Sequence, residues 1–356
     1  MAKKLMKGCE AIAEAAIQAG CRYFFGYPIT PQNDIPEYMS LRLPQVGGCF
    51  LQAESELAAI NMVYGAGGAG ARVMTSSSSP GISLKQEGIS TIAGAEVPCV
   101  IVNMMRGGPG LGNIQASQGD YFQAVKGGGH GDYRSIVIAP SSIQETVDLM
   151  PHAFDLADNY RIPVVILADG LIGQMMEPVE LHMNPNPVLP EKPWAAQGWD
   201  PKGTRPRAII NSLYIATEDL DGLMTRLNAR YDVIREKEVL VEKYHTEGAE
   251  YILCAYGTVA RVCKAAVRIL EENGIKAGLV RPITLWPFPT KEVREVFAQD
   301  SVKAALTVEV SAGQMVEDVR LAVNGCRPVA FYGEAGSRMP EAEEIAEQIL
   351  QMRRAN

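Results

Sequence analysis

RVMTSSSSPGISLKQEGISTIAGAEVPCVIVNMMRGGPGLG, residues 72–112, holds a strand, a turn, a helix and a second strand in close succession. The apolar start at 72–75 reads as a short strand that ends in TSSSSPG (75–81). Pro80-Gly81 opens a helix, because proline in the first helical turn gives up no hydrogen bond and the hydroxyls before it suit capping. Residues 98–105, PCVIVNMM, form a strongly apolar run, the pattern of a strand buried on both faces. Arg106 then leads into the glycine-rich GGPGLG.

The same alternation extends in both directions. Ile12, Ala15, Ala16 and Ala19 recur at helical spacing within 8–20, and Gly20 is placed to cap that helix. A strand at 22–25 leads into GYPITPQ (26–32). A strand near 48–52, a helix from about 55, strands at 135–139 and 163–168 and a helix from about 141 to 158 follow the same rhythm. Alternating strands and helices predict an α/β fold with a parallel sheet covered on both faces. Ligands of such sheets lie beyond the carboxyl ends of the strands. GYPITPQ, the run from Glu56 to Gly65, TSSSSPG and MRGGPGLG all fall at strand-to-loop or strand-to-helix turns.

Between 178 and 206 the pattern stops. Prolines at 178, 185, 187, 190, 193, 201 and 206 leave no room for a regular element and mark an inter-domain connection. A long helix follows, with Leu220, Leu223, Leu227, Tyr231 and Ile234 three or four apart. A second α/β unit starts near Glu250: YILCAYG reads as a strand, and 259–272 as a helix stopped by Asn273-Gly274. AGLVRPITLWPFP, AALTVEV and PVAFYG supply further strands or strand ends. The expected division is 1–177, a connector at 178–246 and a second domain at 247–356.

At 356 residues the chain is long enough for two cores, and 47% apolar and 21% charged residues are ordinary for an α/β protein. A net charge of −8 argues against nucleic acid or an anionic membrane as the main partner. No apolar run approaches the ~20 residues that span a bilayer. MAKKLMKGCEAIAEAA, at the start, continues into a glutamate-bearing helix instead of a signal-peptide core, so the chain reads as cytoplasmic. Seven cysteines with no CxxC pair exclude most zinc and iron–sulfur ligand patterns and argue against a disulfide framework. Cys99 and Cys254 sit in strand-like runs and read as core thiols.

Three side chains stand out for chemistry. Glu56 and its rival Glu54 both lie at a helix start, where acids also serve merely to complement the dipole. Arg106 ends an apolar strand, where an unpaired guanidinium is costly; a planar carboxylate would satisfy its forked donors, as would a structural salt bridge. Thr30 is held between Pro28 and Pro31, which makes it either a rigidly aimed hydroxyl or simply part of a stiff turn.

Taken together, the four stretches resemble the thiamine-diphosphate pyrimidine domain of the 2-oxoacid:ferredoxin oxidoreductases, over essentially the whole chain. They are most like the α subunits that act on branched-chain 2-oxoacids such as 2-oxoisovalerate, and GNIQASQGDYFQAVKGGGHG (112–131) carries that likeness furthest. The second half resembles the C-terminal domain shared by transketolases and dehydrogenase E1 β chains, which mainly builds subunit contacts. The resemblance implies that Glu56 hydrogen-bonds the N1′ atom of the cofactor's pyrimidine, since the family's glutamate directly precedes a small-residue helix. It implies cofactor contacts at Pro28, Ile29, Ser78 and Pro80, with Thr30 and Arg106 facing the 2-oxoacid. Ser79 departs from the family's glycine, and its β-carbon would narrow the room beside the pyrimidine. Gln115, nine residues after the arginine, stands where relatives acting on 2-oxoglutarate or pyruvate carry a small hydroxyl residue. With no second basic residue in that loop to meet a distal carboxylate, 2-oxoglutarate fits less well. Gln118, Asp120 and His130 either shape the site or stabilise its loop.

The family's diphosphate signature, GDG with a downstream asparagine pair, is missing. Ala168-Asp169-Gly170 lacks both the leading glycine and the spaced asparagine. The resemblance therefore implies a partner β subunit that holds the diphosphate and Mg2+. It also implies γ and ferredoxin-like δ subunits with the iron–sulfur clusters, and reaction with ferredoxin and coenzyme A. Two rival readings are a chain of a non-oxidative thiamine enzyme, such as a split transketolase or E1 β type, and a non-catalytic paralogue that acts as a scaffold. Only four histidines disfavour sugar-phosphate chemistry, and the joint presence of Glu56 and Arg106 disfavours the scaffold.

Overall fold

The structure, a computed structural model, describes residues 3–181 and 187–355. Met1, Ala2 and Pro185 of the sequence argument lie outside the described residues. Fourteen strands appear among the described residues: β1 (Lys4–Lys7), β2 (Tyr23–Gly26), β3 (Cys49–Gln52), β4 (Val73–Ser77), β5 (Cys99–Met105), β6 (Ile136–Ile138), β7 (Pro163–Asp169), β8 (Met176–Val179), β9 (Val241–Tyr244), β10 (Tyr251–Cys254), β11 (Ala277–Pro282), β12 (Thr284–Trp286), β13 (Ala304–Glu309) and β14 (Val329–Gly333).

β5 and β7 form the centre of a seven-stranded sheet ordered β12-β6-β7-β5-β4-β2-β3. Every residue of both strands is buried, and they pair in parallel from Cys99 opposite Pro163 to Met105 opposite Asp169. Helices cover both faces, which is why these strands are apolar throughout instead of alternating. β2, β4 and β5 run parallel, so the loops that follow Gly26, Ser77 and Met105 emerge at one edge of the sheet. β3 forms the sheet's outer edge and is largely exposed. The second sheet, β14-β13-β10-β11-β9, has parallel pairs apart from the antiparallel β9.

Three features differ from the sequence reading. Pro178 belongs to β8, paired antiparallel with β1 opposite Leu5; a proline is tolerated there because this two-stranded ribbon leaves its other edge unpaired. β9 lies within the stretch read as connector, yet closes the second sheet. β12, from the LWPFP stretch of the second half, crosses back to pair antiparallel with β6 in the first sheet. The connecting helix spans Thr217–Lys237 and buries Leu223, Leu227, Tyr231 and Ile234, while Leu220 faces outward at 45% exposure. Cys99 and Cys254 are buried free thiols, as expected. Among the described residues no helix is long and apolar enough to cross a membrane.

Candidate active site

Glu56 begins the helix Glu56–Gly68, whose N-cap Ser55 is extended and accepts a hydrogen bond from the Ala58 amide at 3.2 Å. That cap turns the next side chain inward: Glu56 is 4% exposed, whereas Glu54, in the loop before it, points to solvent. Ser77 Oγ, at the end of β4, donates to Glu56 Oε1 at 3.3 Å. Gly81 closes the other side. A β-carbon there would stand 2.4 Å from Glu56 Oε1 and 2.0 Å from Ser77 Oγ, so only glycine allows the helix to approach the carboxyl.

The helix after β4 spans Ser79–Gly94, with Pro80 in its first turn. Its N-cap, Ser78, makes no capping bond, and its buried Oγ has no partner among the described residues. Ser79 is tied into the protein's own framework. Its Oγ accepts from the Arg106 amide at 3.0 Å and donates to Asp120 Oδ2 at 2.6 Å, while Asn103 Nδ2 donates to the same carboxylate oxygen at 2.9 Å. Burial raises the pKa of Asp120, and these two hydrogen bonds offset part of the rise. Of the two uses the sequence left open for Asp120, these bonds tie its loop to the TSSSSPG turn and to β5.

Arg106 follows β5 and makes an isolated bridge to Ala116, so the glycine-rich loop folds back over it. Its side chain is buried at 8% exposure. NH1 donates to the Thr30 carbonyl at 2.9 Å, NH2 donates to the Leu111 carbonyl at 3.1 Å, and Nε has no partner among the described residues. Among the described residues no carboxylate lies within salt-bridge distance, so the structural ion pair weighed from sequence is not formed there.

Through this guanidinium the GYPITPQ and MRGGPGLG loops meet. GYPITPQ is also tied to TSSSSPG, because Gln32 accepts from Ser76 Oγ and donates to the Tyr27 carbonyl. Within GYPITPQ, Pro28 and Thr30 are exposed and Ile29 is half-buried. Asn33 Nδ2 donates to Thr30 Oγ1 at 3.3 Å. Thr30 and the exposed Gln115 line one cavity of about 420 Å³, with Ile114, Leu171 and Gln174. Glu56 does not line that cavity; it sits behind the TSSSSPG turn.

Lys85 was not singled out from sequence, since a lysine in SLKQEG reads as a surface residue. It is 0% exposed, and Nζ donates to Thr75 Oγ1 at 3.0 Å; Thr75 in turn donates to the Phe25 carbonyl at 2.6 Å. Burial pulls its pKa down to about 8, against the opposing pull of the Glu56 charge. The available signal was its position four residues after Gly81, which puts both on one helix face.

Other sequence candidates make bonds within the protein. Gln118 joins the two halves, donating to the Tyr256 carbonyl and accepting from the Val310 amide, each at 3.0 Å. His130 is exposed, and its carbonyl accepts from Ser90 at 2.7 Å. Asp169 is a helix cap, accepting from the Leu171 and Ile172 amides. Among the described residues no three His, Cys, Asp or Glu side chains are grouped to hold a metal.

The residues present fit the pyrimidine half of a thiamine-diphosphate site. A buried carboxyl lies against a glycine that keeps backbone and carboxyl close. A buried serine hydroxyl has no partner, and an arginine two loops away has a donor to spare.

Comparison with known proteins agrees. Residues 14–242 match the family described as pyruvate flavodoxin/ferredoxin oxidoreductase, thiamine diphosphate-binding, and 249–345 match pyruvate:ferredoxin oxidoreductase core domain II. The ketoisovalerate oxidoreductase subunit VorB of Methanothermobacter thermautotrophicus is 48% identical over 99% of this chain and 98% of its own. The 2-oxoglutarate synthase subunit KorA of Methanocaldococcus jannaschii is 36% identical over 98% of this chain and 100% of its own. Among solved structures, a 2-oxoglutarate:ferredoxin oxidoreductase from Magnetococcus marinus matches with a TM-score of 0.86 and 24% identity. It covers 98% of this chain, which spans 65% of that one. That likeness concerns the fold, as does a split-gene transketolase at 0.60 and 13% identity. On the family match and the near-full-length identity to VorB, the chain belongs to the 2-oxoacid:ferredoxin oxidoreductases as an α-type, thiamine-diphosphate-binding subunit.

Proposed function

We propose that this subunit serves the oxidative decarboxylation of a branched-chain 2-oxoacid such as 2-oxoisovalerate. One 2-oxoacid and coenzyme A would give acyl-CoA and carbon dioxide, with two electrons passed singly to ferredoxin. The observation that carries this reading is Arg106, a buried guanidinium satisfied only by carbonyls, with Nε left over. An arginine in that state has its charge uncompensated, and a substrate carboxylate supplies both the charge and the planar acceptor pair.

When bound, thiamine diphosphate supplies the nucleophilic thiazolium carbon that attacks the 2-oxo carbon. Glu56 holds the hydrogen bond to pyrimidine N1′, and Pro28, Ile29, Ser78 and Pro80 form the wall of the pyrimidine pocket. Arg106 and Thr30 orient the acid, and Gln115 bounds its side chain. The apolar Ile114 and Leu171 beside Gln115 suit a branched alkyl group better than a second carboxylate. This chemistry belongs to the first unit and subunit contacts to the second, whose sheet begins with β9 at Val241–Tyr244. Mg2+ and the diphosphate go to a partner β subunit, the clusters to γ and ferredoxin-like δ subunits, and the assembly to the cytoplasm. The substrate assignment is also favoured by the VorB relatives, whose name gives ketoisovalerate.

The test is anaerobic, coenzyme A-dependent reduction of a viologen dye by the complex that co-purifies with this chain. Parallel substrates are 2-oxoisovalerate, pyruvate, 2-oxoglutarate and indolepyruvate. Preference for 2-oxoisovalerate, with the rate lowered about a hundredfold or more in Glu56→Gln, supports the reading. Preference for pyruvate or 2-oxoglutarate removes the branched-chain assignment. No reduction with any of the four, despite bound cofactor, overturns the activity.

A further inference from the structure

The cavity of about 420 Å³ that Thr30 shares with Gln115 also has Asp34 in its wall. Among the described residues that line it, Asp34 is the one that carries a charge; the others offer apolar, hydroxyl, amide or backbone surface. The cavity beside the loop of an anion-binding arginine is therefore negative on one side.

Asp34 opens the helix Asp34–Gln45, directly after GYPITPQ and Asn33. The positive end of a helix favours a carboxylate, and Asp34 fills the place that an arriving anion would otherwise take. Its side chain is fixed from across the cavity. Gln174 Nε2, on the helix Gly170–Gln174, donates to Asp34 Oδ2 at 3.1 Å and to the Pro31 carbonyl at 2.7 Å. Lys7 Nζ, from the end of β1, stands 3.5 Å from the same carboxylate oxygen, but Lys7 does not line the cavity. The two side chains of that pair are 39% and 24% exposed, so the ammonium offsets the Asp34 charge only in part. What the cavity meets is the carboxylate.

On the reading that Arg106 and Thr30 take the acid's own carboxylate, we infer that Asp34 sets the substrate class. It repels 2-oxoacids that carry a second carboxylate, and it leaves the apolar surface of Ile114 and Leu171 to those with a neutral side chain. Thr30 and Asp34 are four residues apart and line one cavity of this size, so a distal carboxylate finds no place in it far from Asp34. Like charges brought together away from bulk water repel strongly, whereas a methyl group in the same place meets no such penalty. Selectivity of this kind comes from a clash with the wrong substrate and adds no contact to the right one.

The experiment compares 2-oxoglutarate with 2-oxohexanoate, acids of similar length that differ in charge at the far end. Both are assayed with the co-purified complex by anaerobic, coenzyme A-dependent viologen reduction. The readout is the ratio of their kcat/KM values, which is independent of the amount of active complex. The wild type favours 2-oxohexanoate by about tenfold or more. Asp34→Asn keeps the size of the side chain and an acceptor for Gln174, and it narrows the ratio about tenfold through a lower KM for 2-oxoglutarate. Lys7→Met removes the counter-charge and widens the ratio.

An unchanged ratio in Asp34→Asn overturns the role of Asp34 and leaves the activity standing. A wild type that prefers 2-oxoglutarate overturns the inference together with the branched-chain assignment. No reduction with any 2-oxoacid overturns the proposed function, and the inference falls with it. If Asp34→Asn does not assemble, Lys7→Met carries the test, and a ratio that fails to widen overturns the inference.

Discussion

Arg106 and Arg281 are both buried arginines at strand ends, and they are satisfied in opposite ways. Arg281, on β11, is 4% exposed; it grips Glu145 with two nitrogens, at 3.0 and 2.7 Å, and Glu242 with Nε at 2.6 Å. Glu145 belongs to the helix Ile143–Tyr160 of the first unit, so this arginine fastens the two halves together. Arg106 is also buried, but among the described residues its guanidinium bonds only to carbonyls. On the proposed function, the difference separates a charge that completes the fold from one that awaits a ligand. The strongest way to break that distinction is Arg281→Met, which leaves the half-buried Glu145 carboxylate with only Ser141 as donor among the described residues. It is expected to destabilise the complex by about 3 kcal/mol, read by thermal or denaturant unfolding, with the KM for 2-oxoacid unchanged. A raised KM with intact stability would reverse the two roles.

Lys85 sharpens the contrast, because its buried ammonium is met by a neutral hydroxyl. Its pKa in the fold, about 8, lies below its ordinary 10.5, so protonating it costs stability. That cost is absent above about pH 10.5, grows as the pH falls and is complete below about pH 8. Lys85→Met removes it and fills the space with an apolar chain. The variant is expected to be more stable than wild type at pH 7 by up to about 3 kcal/mol, with the gap closing as the pH rises through that window. A gap independent of pH would mean that the Lys85 ammonium titrates alike in the folded and unfolded chains. Arg106→Lys comes next in size. It keeps the charge but loses the fork, so the KM for the 2-oxoacid should rise about ten- to a hundredfold with unfolding unchanged.

The first sheet was legible because β5 and β7 announce themselves: seven-residue apolar strands bounded by Pro and Gly or Asp. The loops at their ends carried the site for the same reason, since Pro, Gly and Ser at a strand terminus have few other uses. What stayed hidden depended on tertiary partners. Thr284–Trp286 is three residues long, and only the otherwise unpaired edge of β6 decides that it joins the first sheet. Pro178 reads as a breaker until β1 is there to pair with it. Ser79 resembled an intruder in a glycine position until Asp120 and Arg106 gave its hydroxyl a task. Lys85 has the composition of a surface residue, and its burial follows from Gly81 drawing the helix onto β4.

Ser78 gives the smallest effect and the finest cut between fold and ligand. As an N-cap serine it would ordinarily accept from a helix amide, and Ser78→Ala would then cost about 1 kcal/mol of stability. Here the capping bond is absent and the buried Oγ is unpaired, so alanine removes nothing from the cofactor-free chain and spares an unsatisfied hydroxyl. Stability should hold or rise slightly. Thiamine diphosphate affinity should fall about two- to tenfold, the worth of one neutral hydrogen bond, in a titration of the stripped complex. A loss of stability with unchanged affinity would place the hydroxyl in the fold, and the pyrimidine pocket would then lie elsewhere along the TSSSSPG turn.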